Sequence, residues 1–354
     1  MKSIDPTKPV LVTGATGYVA GWLVKRLLEE GLTVHAAVRD PKREDKRAHL
    51  DKLSDSLPGN IRYFASDLLK EGSYAEAMKD CELVYHTASP FVLDVKDPQR
   101  DLIDPAVKGT ANVLETANAT PSVKRVVVTS SCAAIYTDAI DTVKAPGGKL
   151  TEDIWNTTAS IEYQPYSYSK QLAEQKAWEI MKAQDRWDLV TINPSLVMGP
   201  PLNPSSVTSE SFNLLRQMGD GTLKMGAPRM GMGMVDVRDV AEAHYRAGFR
   251  PEASGRYITS ARNTDLFELS QQLTDRFGQY PLPKKALPKW LLMIVGPMTN
   301  KLFTRDFIRK NVNVPWKADN SKIKKELGIE FRPMKRTMEE SFQVMVDEGG
   351  IPKK

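Results

Sequence analysis

The chain has 354 residues, of which 41% are hydrophobic and 26% charged, and its formal net charge at pH 7 is +5. This is an ordinary composition for a globular protein with a sizeable core, and so small and dispersed a positive charge does not indicate nucleic-acid binding. Cys81 and Cys132 lie far apart, which supports neither a disulfide framework nor a metal site. Residues 1–9 lack the apolar core of a secretory signal, and no apolar run approaches the ~18 residues of a membrane span. We therefore expect a cytoplasmic protein with no metal and no membrane span.

The first predicted elements form a dinucleotide-binding pattern. Residues 9–13 are a short apolar run, typical of a buried parallel strand, and the glycine turn of residues 14–21 follows at once. An amphipathic helix over 18–30 and a second strand over 33–38 complete the unit. Glycines in this setting let backbone N–H groups approach a pyrophosphate at the N-terminus of the helix. We predict cofactor contacts from the following residues of the unit: Thr13, Gly14, Thr16, Gly17, Tyr18 and Val19.

The residue at the end of the second strand distinguishes NAD from NADP. An acidic residue there binds the ribose 2′-hydroxyl of NAD, whereas an arginine accommodates the 2′-phosphate of NADP. This chain has Arg39 at the strand tip, with Arg43 and Lys46 as further contacts, although Asp40 follows directly. The sequence therefore favours NADPH.

The strand and helix units then repeat. Strands are predicted over 61–64, 83–88, 125–129 and 189–193, and a long helix over 101–119. This alternation predicts a Rossmann-type, doubly wound parallel sheet in an α/β fold, with ligands bound beyond the carboxyl ends of the strands. Asp67 is placed either at the adenine amino group or as a helix cap, and His86 as a buried core residue. The other cofactor contacts predicted at the strand ends are Leu68, Thr87, Ala88, Ser89, Thr129, Pro194, Ser195 and Val197.

A helix predicted over 166–183 carries Tyr166 and Lys170, which are four residues apart and so share one face. A free tyrosine, with a pKa of about 10, is a poor acid at neutral pH, but a nearby ammonium favours the phenolate and lowers that pKa. The pair is therefore a candidate proton donor to a carbonyl oxygen, and both residues are expected at the cofactor. The spacing alone is common on surface helices.

After residue 195 the alternation loosens. We expect a Rossmann domain over 1–195 and a region over 196–354 that mainly binds substrate, with some elements returning to the first domain. Helices are predicted over 212–218, 237–249, 267–277 and 337–349, and a strand over 256–259. Residues 219–234, rich in glycine and methionine, form either a loop beside the core or an apolar wall of the substrate pocket. The apolar residues 288–295 form a lid or core helix, with contact to a membrane surface as the alternative.

Together these motifs resemble the extended short-chain dehydrogenase/reductases. The chain is similar to the branch that contains dihydroflavonol 4-reductase, cinnamoyl-CoA reductase and NADPH aldehyde (methylglyoxal) reductases. The resemblance rests on the Gly14-x-x-Gly17-x-x-Ala20 turn, on Tyr166-x-x-x-Lys170 and on residues 38–41, 86–91, 128–131 and 193–200. Ala20 departs from the usual third glycine.

The resemblance implies an NADPH-dependent carbonyl reductase that converts an aldehyde or ketone to an alcohol. Tyr166 is then the acid, Ser131 donates a second hydrogen bond to the substrate oxygen, and Lys170 binds the nicotinamide ribose and lowers the tyrosine pKa. The candidate substrate contacts are Phe91, Ser131, Tyr168, Met225 and Met234. A hydroxysteroid dehydrogenase, a nucleotide-sugar epimerase and a non-catalytic NADP sensor are the alternatives. The partner is a small carbonyl compound, and the protein is a monomer or a homodimer.

Overall fold

Alternating strands and helices fill most of the structure, a computed structural model that describes residues 3–89, 95–203, 210–299 and 303–354. The first half contains, in order, β1 (Val10–Thr13), α1 (Tyr18–Glu29), β2 (Thr33–Val38), α2 (Glu44–Ser56), β3 (Asn60–Ala65), α3 (Ala75–Met78), β4 (Leu83–His86), α4 (Asp104–Ala119), β5 (Arg125–Thr129), α5 (Ala139–Lys144), α6 (Pro165–Lys182) and β6 (Asp188–Pro194). A π-helical turn, Gln99–Ile103, precedes α4, and short 3₁₀ turns occupy Cys132–Ala134 and Pro146–Gly148.

The second half contains shorter elements. They are β7 (Leu196–Met198), α7 (Glu210–Gly219), β8 (Ala227–Pro228), β9 (Gly231–Asp236), α8 (Val237–Phe249), β10 (Gly255–Thr259), β11 (Arg262–Asp265), α9 (Leu266–Gln271), α10 (Thr274–Phe277), β12 (Ala286–Leu287), α11 (Lys289–Thr299), α12 (Arg305–Asn311), α13 (Ser321–Leu327) and α14 (Met334–Asp347).

The main sheet of the described chain has seven strands in the order β10-β6-β5-β4-β1-β2-β3, all paired in parallel. Strand β1 shows why the strands read as unbroken apolar runs. Val10 and Val12 pack on one side of the sheet with α1, whereas Leu11 packs on the other side with α4. Because successive side chains point to opposite faces, a sheet covered by helices on both sides needs apolar residues at every position. The Rossmann-type fold prediction is confirmed.

The order of the strands reverses between β1 and β4, and this is where a doubly wound sheet binds its ligand. The chain runs outward from β1 to β2 and β3, and then returns to β4 on the other side of β1. The loops that follow β1 and β4 therefore leave the sheet in opposite directions and open a crevice between them. The glycine turn lies on one side of this crevice and residues 87–89 on the other.

Elements from the second half complete the main sheet and also build a smaller unit. Strand β10 pairs with β6, and helix α8 packs against α1. Strands β11, β9 and β7 form a three-stranded sheet, and β12 pairs with β8. Helices α7, α9, α10 and α14 enclose a separate apolar core around Phe342.

The single helix predicted over 267–277 is wrong, because the structure has two short helices there, α9 and α10. Residues 219–234, interpreted as either a loop beside the core or an apolar wall of the substrate pocket, end in strand β9, so the loop interpretation fails for residues 231–234. Met232 and Met234 pair with Thr264 and Arg262 of the distant strand β11. A glycine stands between them because a Cβ on Gly233 would lie 2.4 Å from the Trp316 ring. Local sequence does not show such a long-range pairing.

Candidate active site

The glycine turn brings the backbone of β1 against the end of β4. Gly14 has φ +64°, and a Cβ on it would lie 3.1 Å from the Ala88 Cα, so a larger residue would be both strained and crowded. Gly17 caps α1 with no side-chain hydrogen bond, and the first turn of that helix contains no acidic residue. The helix N-terminus therefore keeps free backbone donors and an uncompensated positive potential, which suits an anionic pyrophosphate.

Thr13 lies behind this turn and holds it in place. Its hydroxyl oxygen accepts hydrogen bonds from the N–H groups of Thr87 (3.1 Å) and Ala88 (3.0 Å) and lies 3.0 Å from Nδ1 of His86. Since that oxygen already accepts twice, its proton goes to Nδ1 of His86, which must be unprotonated. Burial lowers the pKa of His86 to about 3, with the Lys170 charge as a second cause, so the imidazole stays neutral. His86 is thus a buried residue with a hydrogen-bond partner, as predicted.

A cleft of about 710 Å³ opens beside the glycine turn. The structure brings together there most of the predicted cofactor contacts: Gly14, Thr16, Gly17, Arg39, Arg43, Lys46, Asp67, Leu68, Thr87, Ala88 and Ser89. Asp67 also accepts a hydrogen bond from the Leu69 N–H (2.8 Å), so it stabilises a local turn while it lines the cleft. Tyr74, which the sequence analysis did not select, lines the cleft too and is 2% exposed. No local motif marks it, because it reaches the cleft from the turn before α3.

The basic residues that line the cleft differ in whether an acidic side chain already pairs with them. Arg43 makes two hydrogen bonds to Asp45, both of 2.8 Å, and Arg47 forms ion pairs with Glu44 and Asp51. Arg39 and Lys46 have no side-chain hydrogen bond or ion pair with any residue of the described ranges, and both are exposed. These two side chains are therefore available to an anionic group in the cleft.

Lys170 connects helix α6 with the cofactor cleft. Its Nζ donates a 2.8 Å hydrogen bond to Oγ of Ser89, which lies just beyond β4 and lines the cleft. The same Nζ lies 5.7 Å from the centre of the Tyr166 ring. Tyr166 is 52% exposed, and its hydroxyl has no hydrogen-bond partner among the residues that the structure describes. The tyrosine oxygen is thus accessible to a bound molecule one helical turn from the lysine.

Ser131 lies where β5 leads into the 3₁₀ turn Cys132–Ala134, and α6 packs against that turn. Its Oγ accepts a 3.1 Å hydrogen bond from the Ala133 N–H. This bond fixes the oxygen while its own proton remains free to be donated. Ser131 can therefore donate a hydrogen bond to an oxygen atom placed beside the turn.

A buried carboxylate that the sequence analysis did not select joins these parts. Glu174 follows Lys170 by four residues on α6, and its side chain is fully buried. Oε2 accepts from Ser130 Oγ (2.5 Å) and Asn193 Nδ2 (2.8 Å), and Oε1 accepts from Arg256 Nε (2.7 Å). Asn193 Nδ2 also lies 3.2 Å from the carbonyl oxygen of Ser131. Glu174 thus ties α6 to the strand ends that hold Ser131, and its spacing of four residues after Lys170 is its only sequence signal.

Several predicted contacts have side chains engaged outside this cleft. Tyr18 donates a 2.7 Å hydrogen bond to the Gly199 carbonyl and packs against Phe212. The hydroxyl of Thr129 lies 2.7 Å from Nε2 of His244. Val19 and Val197 pack against the core, and Pro194 is the buried last residue of β6. Ser195 differs from these, because its buried hydroxyl oxygen has no hydrogen-bond partner in the described chain.

The predicted substrate contacts are scattered. Phe91 lies outside the described residues. Tyr168 is half-buried on α6, and Met225 is 69% exposed before β8. Met234 is 1% exposed and packs in the core of the smaller unit, which argues against direct contact with a substrate.

A glycine turn at the switch point of a doubly wound sheet, with tyrosine, lysine and serine beside it, defines a nucleotide-dependent oxidoreductase. Residues 10–258 match the model of the NAD dependent epimerase/dehydratase family. The chain belongs to this family, the extended short-chain dehydrogenase/reductases, whose members act on carbonyl and CH–OH groups. The family predicted from sequence is confirmed.

Three similar proteins illustrate the reductase branch of the family, which the sequence motifs resemble. Cinnamoyl-CoA reductase CAD2 of Medicago truncatula is 41% identical over 81% of this chain and 86% of its own length. Tetraketide alpha-pyrone reductase 1 of Arabidopsis thaliana is 35% identical over 96% of both chains. The structure of Gre2 from Candida albicans in complex with NADPH superposes with a TM-score of 0.76 at 26% identity, covering 96% of this chain and 99% of that one.

Two further predictions were that the chain has no membrane span and no metal site. No helix in residues 3–89, 95–203, 210–299 and 303–354 combines the length and apolarity needed to cross a bilayer. In the same ranges no group of three or more histidine, cysteine, aspartate or glutamate side chains is arranged to hold a metal ion.

Proposed function

We propose that this protein is an NADPH-dependent carbonyl reductase that converts an aldehyde or ketone to an alcohol. The observation that carries the proposal is the hydrogen bond from Lys170 to Ser89. It fixes the Tyr166 and Lys170 face of α6 at the carboxyl end of β4, beside the glycine turn. A chance Tyr-x-x-x-Lys pair on a surface helix would have no such connection to the nucleotide cleft.

The cleft fits a dinucleotide phosphate at two points. The uncapped N-terminus of α1 beside the glycine turn suits a pyrophosphate, and the unpaired Arg39 and Lys46 suit a 2′-phosphate. Outside this cleft, the unsatisfied hydroxyl of Ser195 suits the carboxamide end of the cofactor. NADPH is the cofactor that the sequence predicts, and relatives solved with NADPH support it. When bound, this cofactor supplies the hydride.

In this proposal, the side chains of the site stabilise the negative charge that develops on the substrate oxygen. Tyr166 donates a proton to that oxygen, and Ser131 donates a hydrogen bond where the negative charge grows. Lys170, one helical turn from the tyrosine, would bind the ribose hydroxyls of the cofactor. Glu174 holds α6 against the serine turn through Ser130 and Asn193, which suits the two donors acting on one substrate oxygen.

The reaction is tested by following NADPH oxidation with a panel of aromatic aldehydes, 2-oxoaldehydes, diketones, bulky ketones and cinnamoyl-CoA. The last is included because a cinnamoyl-CoA reductase is among the relatives. It is a thioester, and its reduction would give the aldehyde and release free CoA, so it tests that separate reaction. We expect saturable oxidation with at least one of the aldehyde or ketone classes. NADPH binding without oxidation by any carbonyl compound would instead favour a non-catalytic sensor.

The assignment of the 2′-phosphate contact predicts a selective effect of Arg39→Ala. A hydrogen bond between charged groups contributes about 1.5–3 kcal/mol, so the KM for NADPH should rise by about tenfold or more. The KM for NADH should change little, because NADH lacks that phosphate. Steady-state kinetics with both cofactors measure the difference.

Arg43→Ala is the matched control for this experiment. It removes the same positive charge from the same cleft, but Arg43 is already engaged by Asp45. We expect a smaller rise in the KM for NADPH than with Arg39→Ala. Equal losses for NADH and NADPH in Arg39→Ala would overturn the assignment.

A further inference from the structure

Helix α11 exposes an apolar stripe that the proposed reaction does not use. Trp290, Ile294 and Met298, which we call the α11 stripe, are 65%, 58% and 84% exposed. Their spacing of four places them on one face of the helix. The described residues contain nine exposed large hydrophobic side chains, and four of these lie on α11, the fourth being Val295. Leu292, on another face, packs with Ile308 and Val312, so the helix is attached to the protein by that side.

The segment around the stripe is strongly basic. Residues 284–310 contain seven lysines and arginines and a single acidic residue, Asp306, which gives a net charge of +6. The whole chain carries only +5, so the remaining residues together are slightly negative. The net positive charge of the chain therefore comes from this one stretch of the sequence, which also contains the apolar stripe.

Several of these positive charges are unpaired. Asp306 is already engaged by Lys310 (2.6 Å) and Arg309 (3.2 Å). Lys284, Lys285 and Arg305 are exposed and have no ion pair within the described ranges. Arg305 Nε lies 3.4 Å from the Met293 carbonyl of α11, and Lys284 and Lys285 precede the first residue of this helix by five and four positions.

We propose that α11 docks on the surface of an anionic phospholipid bilayer. An exposed apolar face with a tryptophan, flanked by lysine and arginine, is the pattern of helices that lie in the membrane interface. The stripe would enter the boundary between headgroups and acyl chains, and the unpaired basic residues would contact the lipid phosphates. A second copy seated on the same face would bring two +6 segments together, and this repulsion disfavours self-association there. The eleven residues of the helix lie on the membrane and do not span it.

Vesicle flotation of the full-length protein tests the proposal. We expect binding to vesicles of phosphatidylcholine mixed with phosphatidylserine, much weaker binding to phosphatidylcholine alone, and release as salt is added. Trp290→Ser with Ile294→Ser should lower the partition coefficient about tenfold or more, because both apolar contacts are lost. Lys284→Gln, Lys285→Gln and Arg305→Gln together should lower it about a hundredfold, since each basic residue near an anionic surface contributes about fivefold.

The matched control for charge is the triple variant Lys52→Gln, Lys79→Gln and Lys325→Gln, which removes three exposed lysines outside the segment. It should bind vesicles as the wild type does. Unchanged melting temperatures would show that each variant is folded, as expected for exposed positions. Failure of the wild type to float with anionic vesicles at low salt, or equal loss of binding in the control, would overturn the proposal. So would a dimer in light scattering that Trp290→Ser with Ile294→Ser dissociates, since a second copy would then cover the stripe.

Discussion

Replacing Tyr166 with phenylalanine should reduce kcat by about 10²–10⁴ or more, because the change removes the proposed proton donor to the substrate oxygen. The ring remains, so the packing of α6 should be preserved. The hydroxyl has no partner among the described residues, so its loss leaves no buried group unsatisfied. The affinity for NADPH should therefore stay close to that of the wild type. Single-turnover kinetics with a carbonyl substrate, together with fluorescence titration of NADPH, separate the two effects.

Tyr245→Phe is the control for this change. It also removes one phenolic oxygen, but Tyr245 lies on α8, where its ring stacks with Arg26 away from the cleft. Its kcat should equal that of the wild type. If Tyr166→Phe also turned over at a near wild-type rate, Tyr166 would not be the acid and the proposed mechanism would be wrong.

Replacing Glu174 with glutamine should affect both stability and turnover. The change leaves Arg256 as an uncompensated buried charge, and removing one partner of such a pair costs about 3–5 kcal/mol. It also weakens the acceptor of Ser130 and Asn193, which position the Ser131 turn. A shift of 1 Å at a reacting group can cost about 10² in rate, so we expect kcat to fall toward that extent while the KM for NADPH changes little. Urea unfolding and steady-state kinetics, corrected for the folded fraction, measure both quantities.

Asp188→Asn is the control that distinguishes a loss of stability from a loss of positioning at the Ser131 turn. It likewise removes a carboxylate from a buried arginine, Arg125, but at the amino ends of β5 and β6, far along the strands from Ser131. Because Asp188 is partly exposed, we expect a smaller loss of stability and an unchanged kcat per folded molecule. Equal turnover per folded molecule in the two variants would show that Glu174 is only a structural residue.

The fold of the nucleotide-binding half could be predicted from the sequence because its motifs are local. A strand, a glycine turn and a helix follow one another within residues 9–30, and the Rossmann prediction needed only that order and the apolar runs. Helix α2 was missed because its apolar face is short: Leu50 is buried and Leu53 packs beside it, but most other residues of the helix are polar or charged. Met234 was proposed for the substrate pocket because methionine suits irregular surfaces, but the pairing of β9 with β11 turns it into the core.

By itself, then, the sequence determined the doubly wound fold, the family, the NADPH prediction and the candidate roles of Tyr166, Lys170 and Ser131. The fold and cofactor predictions follow from residue types at fixed short spacings, whereas the role of Ser131 comes from the family that the motifs resemble. Only the tertiary structure decided that Lys170 contacts Ser89, that Glu174 joins α6 to the strand ends, and that the α11 stripe is exposed. The first two facts depend on contacts between residues 19 to 82 positions apart, and the third on which face of α11 packs against Ile308 and Val312. Such long-range packing leaves no periodic pattern in the sequence.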